Sequence, residues 1–135
     1  MTSQEHVGLL DTSVIINLET VAEDSLPKYS VMSAVSLAEL TVGPQVATSS
    51  EVRDRRQLVL QYAEATLEVL AFDDACARRF ATVATSLRKS GSKSRARGFD
   101  ALIASTALAY GIPLYTSNPR DFHGIQDLDV RPVPN

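Results

Sequence analysis

Four acidic side chains, Asp11, Glu39, Asp100 and Asp121, stand in or just beyond apolar stretches: LLDTSVIINL, AVSLAELTVG, RGFDALIASTALAYGIPLYTSN and NPRDF. An ionised carboxylate among apolar groups is unfavourable by several kcal/mol unless it is paired, hydrogen-bonded or bound to metal. Either each acid finds its own partner or they converge on one. A converged cluster would be an all-oxygen site, because the chain offers only two histidines, His6 and His123, and one cysteine, Cys76. Such donors suit a hard cation, Mg²⁺ or Mn²⁺, better than zinc. The ion would stabilise charge on a phosphodiester and orient an attacking water. Phosphodiester hydrolysis is the chemistry these residue types indicate.

The elements that must position the acids follow from patterning. His6 to Leu10 reads as a strand, and Asp11, Thr12 and Ser13 supply capping groups for a short helix through Val14, Ile15, Ile16 and Leu18. Tyr29 to Ser33 reads as a second strand. Ala34 to Thr41 follows as a helix carrying Glu39, ended by Val42, Gly43 and Pro44. Glu51 to Glu68 has helical spacing, with Leu58, Tyr62 and Ala65 on one face. Leu67 to Phe72 is a third strand, after which Asp73 and Asp74 cap an amphipathic helix with Cys76, Phe80, Val83 and Leu87 on its core side. Asp100 opens a small-residue helix stopped by Gly111, and Ile112 to Thr116 forms a buried strand. Leu128 to Val133 suits an edge strand, since Pro132 and Pro134 lack donors.

Strands alternating with helices imply an α/β domain with a central, mostly parallel sheet and helices on both faces. Its functional crevice should open at the carboxyl ends of the strands. Asp11, Glu39, Asp100 and Asn118 can all face that end. No GxGxxG or GxxxxGK[ST] loop is present, which argues against dinucleotide and Walker-type phosphate binding.

Length and composition set the frame. At 135 residues the chain has the size of one domain, residues 1–135, and a single cysteine excludes an internal disulfide framework. Without an 18-residue apolar run or a charged-then-apolar leader, a cytoplasmic location with no membrane partner is expected. The net charge of −3 alone predicts no affinity for nucleic acid. Its distribution does: Ala75 to Phe99 carries seven basic residues, among them Arg78, Arg88, Lys93, Arg95 and Arg97, and no acid. A polyanion can dock there; equally, Arg88 and Lys89 suit a helix C-terminus, and GSKSRARG reads as a polar loop.

Taken in order, LLDTSVIINL, SAVSLAEL, FDALIASTALAYGIPLYTSN and NPRDF resemble the motifs of the PIN-domain ribonucleases, and the length resembles that of the VapC toxins of toxin-antitoxin pairs. The resemblance implies a three-layer α/β/α PIN-like fold and a Mg²⁺-dependent endoribonuclease, with Mn²⁺ as a substitute. It assigns Asp11 and Asp100 as direct metal ligands, with Glu39 holding the ion through water and orienting the nucleophile. Where the family often carries a further acid this chain has Asn118, so Asp121 or the Asn118 carbonyl completes the site; Asp121 capping the next turn is the plain alternative. Arg95 and Arg97 would grip the RNA backbone. Thr12, Ser13, Thr116 and Ser117 are candidates to orient the carboxylates, although Thr12 and Ser13 fit local capping equally well. The family further implies structured RNA, a transfer or ribosomal RNA, as substrate, a homodimer, and a cognate VapB-like antitoxin that inserts a basic side chain into the acidic site. Ile15, Ile16, Leu37 and Leu40 either line its groove or form core. Two other readings stay open: an inactive PIN-like binding module, and an RNA-processing nuclease without an antitoxin.

Overall fold

A computed structural model of the protein describes residues 6–89 and 98–135. Its elements are β1 (Val7–Leu10), α1 (Thr12–Ile15), β2 (Tyr29–Ser33), α2 (Ala34–Gln45), α3 (Ser50–Thr66), β3 (Glu68–Leu70), α4 (Asp74–Lys89), α5 (Gly98–Tyr110), β4 (Leu114–Thr116) and β5 (Val130–Pro132). The strands form one five-stranded sheet in the order β3-β2-β1-β4-β5, every pairing parallel. β1 is central, and its neighbours β2 and β4 come from distant parts of the chain.

Strand alternation divides the core into two layers, because successive side chains point to opposite faces. Leu9, Val31 and Leu114 pack with Val83 of α4 and Ala101, Ile103, Ala104 and Ala107 of α5. On the other face Leu10 and Met32 pack with Val14 and Ile15 of α1 and Leu60 and Ala63 of α3. α2 serves both layers, giving Val35 to the first and Leu40 to the second. This is the α/β/α arrangement that the patterning implies. Burying side chains such as Leu9, Leu10 and Ile103 contributes roughly 1.5–3 kcal/mol each against the entropy of ordering the chain. Gly8 lets β1 lie against its neighbours: a Cβ there would stand 2.5 Å from Tyr115 Cε1 and 2.7 Å from Pro27 Cγ.

Several local expectations need correction. α2 does not end at Thr41 but runs to Gln45 with Pro44 inside it. In a last turn proline removes only one bond, the Val46 N–H closes onto Val42 O at 3.2 Å, and Arg56 Nη1 donates to the Gly43 carbonyl at 2.9 Å. The buried stripe of α3 is Leu60 and Ala63, whereas Leu58 and Tyr62 are 65% and 41% exposed. Ile16 and Phe80 are also exposed, so neither is core; Ile15 and Leu40 are buried, and Leu37 is partly so. Asp73 takes the cap of α4, accepting from Cys76 N at 3.1 Å, while Asp74 pairs with Arg78 at 3.1 Å.

Candidate active site

Chain direction gathers the candidate residues at one edge of the sheet. Asp11 directly follows β1, and Glu39 lies in the helix that leaves β2. Asp100 occupies the first turn of α5, which runs back towards the start of β4, so that turn lies at the strands' carboxyl edge. Asn118 and Asp121 follow β4, and Pro119–Phe122 forms a short 3₁₀ turn anchored by the buried ring of Phe122.

Asp11 is held most tightly. Its amide donates to Tyr115 O at 2.9 Å, making it the last rung between β1 and β4, and its side chain is almost fully buried. Oδ1 accepts from Thr12 N at 2.9 Å; Oδ2 accepts from Ser13 Oγ and Thr116 Oγ1, both at 2.8 Å. Those hydroxyls cannot turn away, because each accepts a backbone donor in turn: Ser117 N reaches Ser13 Oγ at 3.1 Å and Asn118 N reaches Thr116 Oγ1 at 3.0 Å. Two main-chain amides thus fix two hydroxyl protons on one carboxylate oxygen. Three of the roughly four acceptor directions of the carboxylate are filled, leaving one on Oδ1. Ser117 Oγ, buried beside this network, has no hydrogen-bond partner.

Glu39 is half-buried and tied to the same knot. Thr12 Oγ1 lies 2.6 Å from Glu39 Oε1 and 2.9 Å from Ser36 Oγ. Burial raises the pKa of Glu39 above the ordinary 4.5, and the charge of Asp11 raises it further, against the lowering effect of the Thr12 hydrogen bond. Thr12 therefore serves Glu39 through its side chain rather than capping α1. Among the described residues neither Asp11 nor Glu39 has a basic partner.

The structure thus brings Asp11 and Glu39 together, with Thr12, Ser13 and Thr116 as the hydroxyls that orient them. Asp100 reaches the same edge on a helix that packs against α2. Among the described residues, however, no three Asp, Glu, His or Cys side chains stand close enough to hold a metal ion. Asp121 is on the 3₁₀ turn, and Asn118 gives its backbone amide to the network. Arg95 and Arg97 lie outside the described residues. The donor set nonetheless fits a hard divalent cation: two oxygen-only carboxylates repel each other in a partly buried place, and neither forms an ion pair among the described residues.

A cation that patterning did not single out lies nearby. Thr12, Glu39 and Leu40 share the wall of a groove of about 440 Å³ with Arg55 and Arg56 of α3. Ile16, Leu58 and Tyr62 line a second groove, of about 540 Å³, which also touches Arg55. Arg53, Arg55 and Arg56 sit among Glu51 and Asp54 in the sequence, and such a run reads as any solvated helix face.

The fold and this site have relatives. Residues 8–128 match the PIN domain family. The chain belongs to that family. Ribonuclease VapC5 of Mycobacterium tuberculosis is 33% identical over 121 residues, covering 87% of this chain and 87% of that protein. Ribonuclease VapC4 of the same organism is 34% identical over 126 residues, covering 91% of this chain and 94% of its own length. Among solved structures, VapBC-5 of M. tuberculosis, a member of the VapBC family of toxin-antitoxin systems, superposes with a TM-score of 0.80 at 31% identity, covering 96% of this chain and 99% of that one. The chain is thus a PIN domain of the VapC type, and its parallel sheet with helices on both faces is the PIN fold.

Proposed function

We propose that this PIN domain is a metal-dependent endoribonuclease, the toxin of a toxin-antitoxin pair. The observation that carries the reading is the Asp11–Glu39 pair at the strands' carboxyl edge, oriented by three hydroxyls and without an ion-pair partner among the described residues, in a chain a third identical to ribonucleases. Asp11 would bind Mg²⁺ through the open direction on Oδ1, Asp100 would supply the second carboxylate, and Glu39 or Asp121 would bind through water. Bound there, Mg²⁺ or Mn²⁺ would stabilise charge on a scissile phosphate and orient the attacking water, giving a 5′-phosphate and a 3′-hydroxyl. Ser13 and Thr116 hold Asp11 against rotation, so its free lone pair keeps one direction. Thr12 holds one oxygen of Glu39 and leaves the other to orient water. A folded transfer or ribosomal RNA, cut where strands are exposed, is the substrate class we favour.

The structural neighbour is a toxin-antitoxin member, and the exposed apolar groove of Ile16, Leu58 and Tyr62 suits the amphipathic segment of a VapB-like antitoxin. A basic side chain from such a segment would balance Asp11 and Glu39. A second reading, a catalytically silent binding module, draws on the lack of a three-carboxylate group among the described residues.

Incubating purified protein with total RNA, in Mg²⁺ or Mn²⁺ against EDTA and beside Asp11→Asn, tests the nuclease reading. Discrete cuts that need both metal and Asp11 are expected. A folded, antitoxin-free protein that cuts nothing would favour the silent module, as would failure to bind Mn²⁺ stoichiometrically.

A further inference from the structure

We infer that Arg55 is a substrate-positioning residue that holds a phosphate of single-stranded RNA beside the acidic pair. The inference rests on the reading above that this site works on RNA. Arg55 lies where the two grooves meet, one walled by Thr12 and Glu39 and the other by Ile16 and Tyr62. Its neighbour Arg56 is already engaged with the Gly43 carbonyl at 2.9 Å. Arg55 makes no hydrogen bond or ion pair among the described residues. Nor does it neutralise the acids, since Glu39 takes its hydrogen bond from Thr12. An exposed guanidinium that shares a groove with Glu39, yet pairs with no acid among the described residues, is available to an incoming anion.

The site needs such a group. Acidic side chains repel a polyanion, and apart from the basic run of 75–99 a chain of net charge −3 offers it little attraction. The planar fork of arginine matches two oxygens of one phosphate, and on α3 it lines the same groove as Glu39. A strand gripped there has one neighbouring phosphate at the acids. The half-exposed ring of Tyr62, in the adjoining groove, offers a face on which an unpaired base can stack. Duplex RNA presents no such free base, hence the preference for a single strand.

The test is binding of a short fluorescein-labelled single-stranded RNA, followed by anisotropy in EDTA at several salt concentrations. Wild type, Arg55→Ala, Arg55→Lys and the same-helix control Arg53→Ala are compared. Arg55→Ala should weaken binding about tenfold and flatten the plot of log affinity against log salt by about 0.7, one phosphate contact on a single strand. Arg55→Lys should restore the salt slope but only part of the affinity, and Arg53→Ala should change neither. In cleavage assays Arg55→Ala should raise KM and leave kcat near the wild-type value. Wild-type affinity and slope in Arg55→Ala overturn the assignment whatever cleavage shows, as does a wild type that binds no RNA. Loss of binding in Arg55→Ala together with no cleavage in Mg²⁺ or Mn²⁺ keeps Arg55 as an RNA contact and removes the nuclease reading. Arg55 is exposed, so its truncation leaves the core intact.

Discussion

At the scale of single residues, the chemistry rests on hydroxyl protons that cannot choose their direction. Thr116 is fully buried, donates to Asp11 at 2.8 Å and accepts from Asn118 N at 3.0 Å. Thr116→Val keeps the shape and strands both partners, so urea unfolding should show a loss of about 1–3 kcal/mol. Mn²⁺ titration should show affinity falling about 10–100-fold, the usual effect of losing a group that orients a ligand. Wild-type metal affinity in a folded Thr116→Val protein would remove this hydroxyl from the site's design. Glu39 gives a pH signature in metal-free protein. A carboxyl whose pKa is raised on folding holds its proton more tightly in the folded state. Its contribution is therefore full at low pH and is lost as pH climbs from the ordinary 4.5 through the raised value. Stability of wild type minus Glu39→Gln, measured in EDTA, should fall over that rise; a flat difference would contradict the raised value. Asp11 and Glu39 were legible because each is a charge inside an apolar run. Arg55 was not, because an arginine on an exposed helix looks the same whether or not a groove lies beside it.

Elements were read well where one face is wholly buried. The LLDTS and VMSAVS junctions mark strand-to-helix turns, and the structure shows Asp11 and Ser33 capping there, with Ser36 N on Ser33 Oγ at 3.0 Å. α3 shows what periodicity leaves open. Its apolar residues form two adjacent stripes, Leu58 with Tyr62 and Leu60 with Ala63, and period 3.6 alone cannot say which one meets the sheet. The stripe left outside became the wall of the groove. The end of α5 is set more firmly. Gly111 has φ +67°, the Gly111 N–H bonds Leu108 O at 3.2 Å, and the Ile112 N–H bonds Ala107 O at 3.1 Å, a Schellman closure that turns the chain into β4. Gly111→Ala places a side chain in the left-handed region and should cost about 1–2 kcal/mol in urea unfolding with RNA cleavage per folded molecule unchanged. An equal loss of activity would mean that the turn also tunes the site.

The whole molecule is a parallel sheet at whose carboxyl edge Asp11 and Glu39 form no ion pair among the described residues. If a divalent ion belongs there, binding must stabilise the fold by mass action: thermal unfolding in Mg²⁺ at 100 times its Kd should gain about 2.7 kcal/mol over EDTA. Asp11→Asn should lose that gain, and an identical gain in the variant would place the ion elsewhere. Fold class was legible because alternating strand and helix patterns leave few layered solutions. The meeting of Asp11 with Glu39 and Thr116 was not, because no local pattern records which distant residues share a pocket. Among the described residues no helix is long and apolar enough to cross a membrane.

The position of β4 beside β1 sets a timetable for synthesis. Thr116 follows Asp11 by 105 residues, so at ribosomal speeds of 5–20 residues per second roughly 5–20 s separate the first carboxylate from the hydroxyl that locks it. Until β4 has left the exit tunnel and inserted beside β1, the nascent chain holds Asp11 without the Thr116 hydroxyl and without the Ser117 amide that fixes Ser13. The first carboxylate thus takes its final direction only once the sheet has closed across β1, 105 residues later in the chain.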